Sequence, residues 1–352
     1  MTKILSIIIP TYNMEKYLRE CLDSLIVSDE NMQRLEVLVI NDGSKDSSSL
    51  IAHEYESRFP QTFRVIDKEN GNYGSCINRG LREATGKYVK ILDADDSFYN
   101  DAFNLFLLKL LTIDTDLILT DYNRVLSTKR IEQKRKFALP KEVLLTFEQI
   151  NPRLDVEMHA VTYRTDLLKE IGYQQTEGIS YTDTEWSIIP LTSVKSLIYI
   201  GIELYSYLVG REGQTVDPQV RAKSLGMMYK VFKRLLSSYE SGLSVDNAAN
   251  ELVFNKLAGL SSSIYKFGIN YNTIETRQVL KDMDNYIKIH SNRLYSLLET
   301  KRLVNFIPSF YIKDWRNGDK GIIYWKVYNS LIKLQLCYKR IVNTPSTLYM
   351  GK

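Results

Sequence analysis

Apolar residues come in short blocks along the first third of the chain. Ser6–Ile9, Glu36–Ile40, Phe63–Ile66, Tyr88–Leu92 and Leu117–Thr120 are each bounded by polar or turn residues, and each predicts a buried strand. Between them the apolar positions change to helical spacing. Glu15–Leu25 brings Tyr17, Leu18, Cys21, Leu22 and Leu25 onto one face, and Leu50–Arg58, Ser75–Ala84 and Ala102–Leu111 read as further helices. Strand and helix in alternation predict right-handed βαβ crossovers and an α/β fold with a mostly parallel central sheet. Ligands on such sheets gather at the carboxyl ends of the strands. Three polar clusters stand there: Thr11-Tyr12-Asn13, Asn41-Asp42-Gly43-Ser44 and Asp93-Ala94-Asp95-Asp96.

After residue 122 the alternation loosens. Ala160–Tyr163, Leu197–Ile200 and Leu204–Val209 predict strands. Thr165–Glu170 and Thr184–Leu191 predict helices, the second ended or bent by Pro190. From Val220 the pattern is helical, over Val220–Tyr239, Asp246–Phe267, Asn272–Ile289 and Gly321–Val342. The expected organisation is an α/β domain over 1–212, with halves 1–122 and 123–212, followed by a helical C-terminal region over 213–352. The change is placed near Gly213.

Two stretches are basic. Lys129–Lys136 carries five cations against Glu132, and reads either as a solvated face or as a contact for phosphate-bearing lipid or substrate. In the last helix Lys326, Lys333 and Arg340 recur every seven residues beside a broad apolar face. That helix either packs against the body or another subunit, making a homo-oligomer, or lies on an anionic membrane surface. From Lys313 onward eight basic residues meet two acidic ones, whereas the whole 352-residue chain carries only +4. So mild a balance excludes nucleic acid as a partner of the whole chain. Cys21, Cys76 and Cys337 do not make a disulfide framework, and a reducing compartment fits them. The apolar run at the N-terminus is too short for a signal peptide, and no segment offers a membrane span. The expected place is the cytoplasm, with peripheral contact at the inner face of a membrane.

The chemistry begins at Asp93-Ala94-Asp95-Asp96. Carboxylates massed where a buried strand emerges repel one another and call for a compensating cation. A hard divalent ion, Mn2+ or Mg2+, suits oxygen ligands and grips a diphosphate. An acidic turn capping the next helix is the plainer alternative. A nicotinamide dehydrogenase is excluded, because Pro10-Thr11-Tyr12-Asn13 stands where its glycine-rich loop would be. A sugar-nucleotide pyrophosphorylase would want a Gly-rich, basic loop at the same place, and that too is missing.

Taken in order, Ile7-Ile8-Ile9-Pro10-Thr11-Tyr12-Asn13, Asn41-Asp42-Gly43-Ser44 and Asp93–Asp96 resemble the family 2 glycosyltransferases, which have the GT-A fold. Gly71-Asn72-Tyr73-Gly74, Asn78-Arg79-Gly80 and Ala84–Tyr88 extend the resemblance, which spans roughly 4–210. Its closest flavour is the bacterial enzymes of surface-polysaccharide and protein-glycan synthesis. It implies that Pro10, Thr11 and Tyr12 cradle base and ribose, that Asp42 bonds uracil, and that Asp95 and Asp93 hold the metal, with Asp93 and Ala94 also beside the nucleotide. Asp96 then orients its neighbours or caps the helix. Asn72, Gly74 and Asn78 line the nucleotide; Arg79 stands one place away from the family's arginine. The family's catalytic base falls on Asp183, with Glu185 as second choice. Arg211 and His159 are candidates for the diphosphate or the acceptor. The implied activity is inverting transfer from a UDP-sugar to a glycan, lipid-linked or glycoprotein acceptor. The alternative is a non-catalytic glycan-binding or sugar-nucleotide-binding scaffold of the same fold.

Overall fold

The computed structural model describes residues 2–211, 224–242, 247–302 and 310–318. Its core is the sheet that the apolar blocks predict. Strands β1 (Leu5–Thr11), β2 (Leu35–Asn41), β3 (Phe63–Asp67) and β4 (Tyr88–Ile91) run parallel in the order β3-β2-β1-β4. Nearly every residue of β1, β2 and β4 is buried, as a strand covered on both faces requires. Helices α1 (Leu18–Asp23), α2 (Asp29–Arg34), α3 (Ser48–Arg58), α4 (Asn72–Glu83) and α5 (Asn100–Leu110) make the crossovers. The chain steps outward from β1 to β2 and β3, then returns to place β4 on the other side of β1. That reversal opens a crevice at the carboxyl ends of β1 and β4, where open α/β sheets take their ligands.

Beyond β4 the sheet continues through four further strands and becomes mixed. Strand β9 (Val161–Arg164) is antiparallel to both β4 and β6 (Leu117–Leu126), while β10 (Leu197–Val209) runs parallel to β6. The short β5 (Ser97–Phe98) and β8 (Leu144–Leu145) pair with β10. The two strands expected between residues 197 and 209 are one, broken in register around Glu203 rather than in chain direction. The basic stretch forms β7 (Ile131–Arg135), a mostly exposed strand hydrogen-bonded to β6; Lys134 and Lys136 pair with Glu203, and Lys129 with Glu20. Helices α6 (Thr165–Glu170) and α7 (Asp183–Ile188) follow β9, and α7 tightens at Pro190 into a narrower turn.

The described chain divides into two compact units, Met1–Leu257 and Ala258–Lys352. Gly213 lies outside the described residues, and the first unit continues 45 residues past 212. It takes in α8 (Leu225–Gly242) and the first part of α9 (Asn247–Tyr271), because these helices are bonded to the α/β body. Lys256 donates to the Val156 carbonyl, and Arg234 pairs with Glu185. The second unit holds the rest of α9, α10 (Ile274–His290), α11 (Asn292–Glu299) and α12 (Tyr311–Arg316). In it Arg316 joins Asp284 and lies over the Tyr295 ring at 3.5 Å. The amphipathic helix expected at Gly321–Val342 and Cys337 lie outside the described residues. Cys21 and Cys76 are free and buried. Among the described residues no helix is long and apolar enough to cross a membrane.

One core residue breaks the apolar pattern. Lys90, in the middle of β4, is wholly buried, and its Nζ donates to the carbonyls of His159 (2.8 Å) and Val161 (3.0 Å). It thereby ties the strand that ends in the acidic cluster to the turn ahead of β9. Burial pushes its ammonium down from 10.5 to about 7. The folded chain therefore holds fewer protons than the unfolded chain across that window, and stability rises with pH there. The cost of the buried charge is fully present below pH 7 and fades as pH climbs toward 10.5. Urea unfolding of wild type and Lys90→Met is expected to show wild type gaining on the variant by on the order of 1 kcal/mol per pH unit within this window. A difference that stays constant with pH would contradict the assignment.

Candidate active site

The site forms at the β1/β4 crevice. On one side, Pro10, Thr11 and Tyr12 end β1; Thr11 is buried, whereas the Tyr12 ring is 46% exposed. The turn after β1 is stitched to the turn after β2: Asn13 N–H donates to Ser44 Oγ (3.0 Å), and Lys45 N–H to Asn13 Oδ1 (2.8 Å). Gly43, at φ +71°, takes the left-handed turn between them, a conformation that glycine adopts without a Cβ clash.

Asp42 is buried and already works for the protein. Its Oδ1 accepts from Lys68 Nζ (2.5 Å) and Gly71 N–H (2.9 Å), and its Oδ2 from Asn72 N–H (2.9 Å). Lys68 also donates to Ser75 Oγ at 2.9 Å, so it joins the end of β3 to the start of α4. Nothing in its spacing marks Lys68 in the sequence.

The residues at the start of α4 turn out to face the chain itself. A Cβ on Gly74 would overlap the Thr176 carbonyl, so the close approach made there is to backbone. Asn78 accepts from Gln175 N–H (2.7 Å) and donates to the Gln175 carbonyl (2.9 Å) and Glu177 Oε1 (2.8 Å). Both ends of its amide thus hold the segment 175–177. Arg79 lies on the surface of α4 and pairs with Glu83.

The acidic cluster converges. Ligand oxygens of Asp93, Asp95 and Asp96 lie within 4.8 Å of one another. Their surroundings differ. Asp93 accepts from the Tyr73 hydroxyl at 2.8 Å. Asp96 is buried and accepts from the Tyr205 hydroxyl and the Leu208 N–H, both at 2.7 Å. Asp95 pairs with Arg211, whose guanidinium also stands over the Tyr17 ring at 5.5 Å. Arg211 thus meets a carboxylate of the cluster. Ala94 is buried in the apolar core behind them. Burial, with the Asp95 charge next, pushes Asp93 up to about 7, and the same causes raise Asp96 well above the carboxylate range. Crowded hard oxygens whose ionised forms are this disfavoured are a fitting donor set for a divalent cation.

Asp183 opens α7, and its charge acts on Asp93, Tyr73 and Tyr207 as well as on Glu185 and Tyr173. Glu185, the second choice for a base, is fully buried and accepts from Thr176 N–H (2.8 Å), Thr176 Oγ1 (2.8 Å) and Arg234 (2.7 Å). It is a buried anchor. His159 is 7% exposed; its ring stacks on Tyr207 at 4.2 Å and meets Tyr205 edge-on at 4.9 Å. Its Nδ1 makes no hydrogen bond and lies 3.7 Å from Glu157. Tyr73, Tyr205 and Tyr207, which surround the cluster, carry no spacing signal that sets them apart from the chain's other tyrosines.

Comparison with known proteins agrees with this geometry. The model of glycosyl transferase family 2 matches residues 6–172. The chain is 28% identical over 227 residues to an uncharacterised glycosyltransferase of Mycoplasma pneumoniae, the MG025 homolog, covering 60% of this chain and 70% of that one. It is 35% identical over 121 residues to the putative glycosyltransferase EpsH of Bacillus subtilis, 34% of each chain. Of the latter it therefore spans only about a third. Among solved structures, Staphylococcus aureus TarS 1–349 in complex with UDP-GlcNAc shares the fold with a TM-score of 0.67 at 20% identity, over 94% of this chain and 92% of that one. A mannosyltransferase from Pyrobaculum calidifontis in complex with GDP-Man and Mn2+ gives a TM-score of 0.50 at 14% identity, over 94% and 87%. By its matched segment, its fold and the carboxylates at the end of β4, residues 6–172 of this chain belong to glycosyl transferase family 2, and the chain is a glycosyltransferase with the GT-A fold.

Proposed function

We propose that the chain moves a sugar from a uridine-diphosphate donor to a hydroxyl of a glycan acceptor, with inversion, in the making of a bacterial surface polysaccharide or glycoprotein. The observation that carries this reading is the convergence of Asp93, Asp95 and Asp96 at the carboxyl end of β4. The UDP-GlcNAc complex of TarS, which has this fold, supports the uridine donor. The Bacillus subtilis minor teichoic acid biosynthesis protein GgaB, 37% identical over 91 residues, supports a surface polymer as acceptor. A lipid-linked or glycoprotein acceptor is the other form of the same reading.

In this reading Tyr12 offers its exposed ring to the base, and Asp42 holds the turn at Gly71 and Asn72 against it. Asp93 and Asp95 would hold a divalent cation, Mn2+ or Mg2+, which supplies positive charge to a departing diphosphate. Arg211 is placed to give its guanidinium to the same phosphates. Asp183 takes the proton of the acceptor hydroxyl as that oxygen attacks the anomeric carbon. His159, on its Tyr207 platform, faces the acceptor. The chain's contact with an anionic membrane, its place at the inner face and its self-association through the C-terminal helices belong to the same proposal.

A placed base contributes about 10²–10⁴-fold. Asp183→Asn is therefore expected to lose that factor in transfer while UDP-sugar binding survives; full turnover would remove Asp183 from the role. Asp95→Ala is expected to weaken manganese-dependent binding of UDP at least about tenfold by calorimetry, because a charge-bearing ligand is lost. Unchanged affinity with manganese would leave the acidic cluster without its cation.

A further inference from the structure

We infer that Arg234, in α8 and beyond the matched family segment, is a positioning residue for transfer: it locks Glu185 into the interior and so holds Asp183 toward the acidic cluster. The inference rests on Asp183 as the base.

The geometry is a clamp. Arg234 Nη1 donates to Glu185 Oε2 (2.7 Å) and to Thr176 Oγ1 (2.5 Å), and Nη2 donates to the Gln174 carbonyl. Glu185 takes two further bonds from Thr176, through N–H and Oγ1. One guanidinium thus joins α8 both to α7 and to the segment 174–176. That segment is held from its other side by α4: Asn78 bonds both backbone groups of Gln175, Gly74 lies flat against the Thr176 carbonyl, and Gly178 N–H donates to the Gly71 carbonyl (3.1 Å).

Helical geometry turns the clamp into a device for aiming. Successive residues of a helix rotate by about 100°, so Asp183 and Glu185 project in nearly opposite directions. Fixing Glu185 inward therefore turns Asp183 to the opposite side of the helix. Helix α7 is six residues long and has little rigidity of its own. Glu185 is 0% exposed, and the cation that neutralises it comes from α8. Thr182, just ahead of Asp183, is held from the same segment by Gln175 Nε2 at 3.0 Å.

The test uses the full chain with UDP-sugar donor and manganese, measuring kcat and donor KM for wild type, Arg234→Met, Arg234→Lys, Asp183→Asn and the Asp183→Asn/Arg234→Met double variant. Arg234→Met is expected to lower kcat by about ten- to a hundredfold, since a misplacement of about 1 Å costs up to the larger factor. Donor KM is expected to stay within about twofold, because Arg234 itself touches none of the groups given to the donor and the Gly71–Asn72 turn stays held by Asp42, and Arg234→Lys is expected to recover part of the loss. The double variant is expected to be no slower than Asp183→Asn alone. Wild-type kcat in folded Arg234→Met, equal changes in kcat and KM, or a full extra loss in the double variant would each overturn the inference. If Arg234→Met does not fold, Arg234→Lys decides: it keeps the charge but loses the reach to the Gln174 carbonyl, so a lower kcat at unchanged KM supports the inference and wild-type kcat overturns it. Full activity of Asp183→Asn overturns the base itself, which separates that failure from failure of the clamp.

Discussion

Like charges packed at the mouth of a buried strand need something positive, and this site is organised around that need. Asp93, Asp95 and Asp96 leave β4 together, and burial raises the energy of each extra ionised oxygen. The chain answers in three ways. Tyrosine hydroxyls donate to Asp93 and Asp96, a backbone N–H donates to Asp96, and Arg211 comes from beyond β10 to meet Asp95. Lys90 stays beneath the cluster and gives its hydrogen bonds to carbonyls instead. What is left is a cluster with oxygens turned to one place, which a divalent ion suits.

The α/β core was legible because strands buried on both faces must be apolar throughout. Each of the five early blocks became a strand, four of them longer than the block and the one at Tyr88 a residue shorter. The polar clusters after β1, β2 and β4 were legible too, since a parallel sheet with a reversal in strand order brings those ends together. Less was legible where the pattern is polar. Helix α2, with the sequence Asp29–Arg34, has no apolar stripe and is fixed by Asn31 bonding to Asn104 on α5. The exposed β7 exists through its ladder with β6, not through its side chains.

In the site, motif residues were readable and their partners were not. Asp42 can be found by its motif, but Lys68, 26 residues later, cannot. Asn78 and Gly74 carry small and polar character that suits a ligand equally well as a neighbouring backbone; only the path of residues 174–178, about a hundred positions away, decides for the backbone. Glu185 was indistinguishable from a base until its burial and its bond to Arg234 were known. Long-range pairing of this kind leaves no local periodicity.

The matched family segment ends at residue 172, ahead of Asp183, Arg211 and Arg234. The carboxylates after β4 thus come from the matched stretch, while Tyr205, the Leu208 N–H and Arg211 that meet them come from the chain beyond it. A chain can therefore match the segment through residue 172 and still differ in what neutralises and shields those carboxylates.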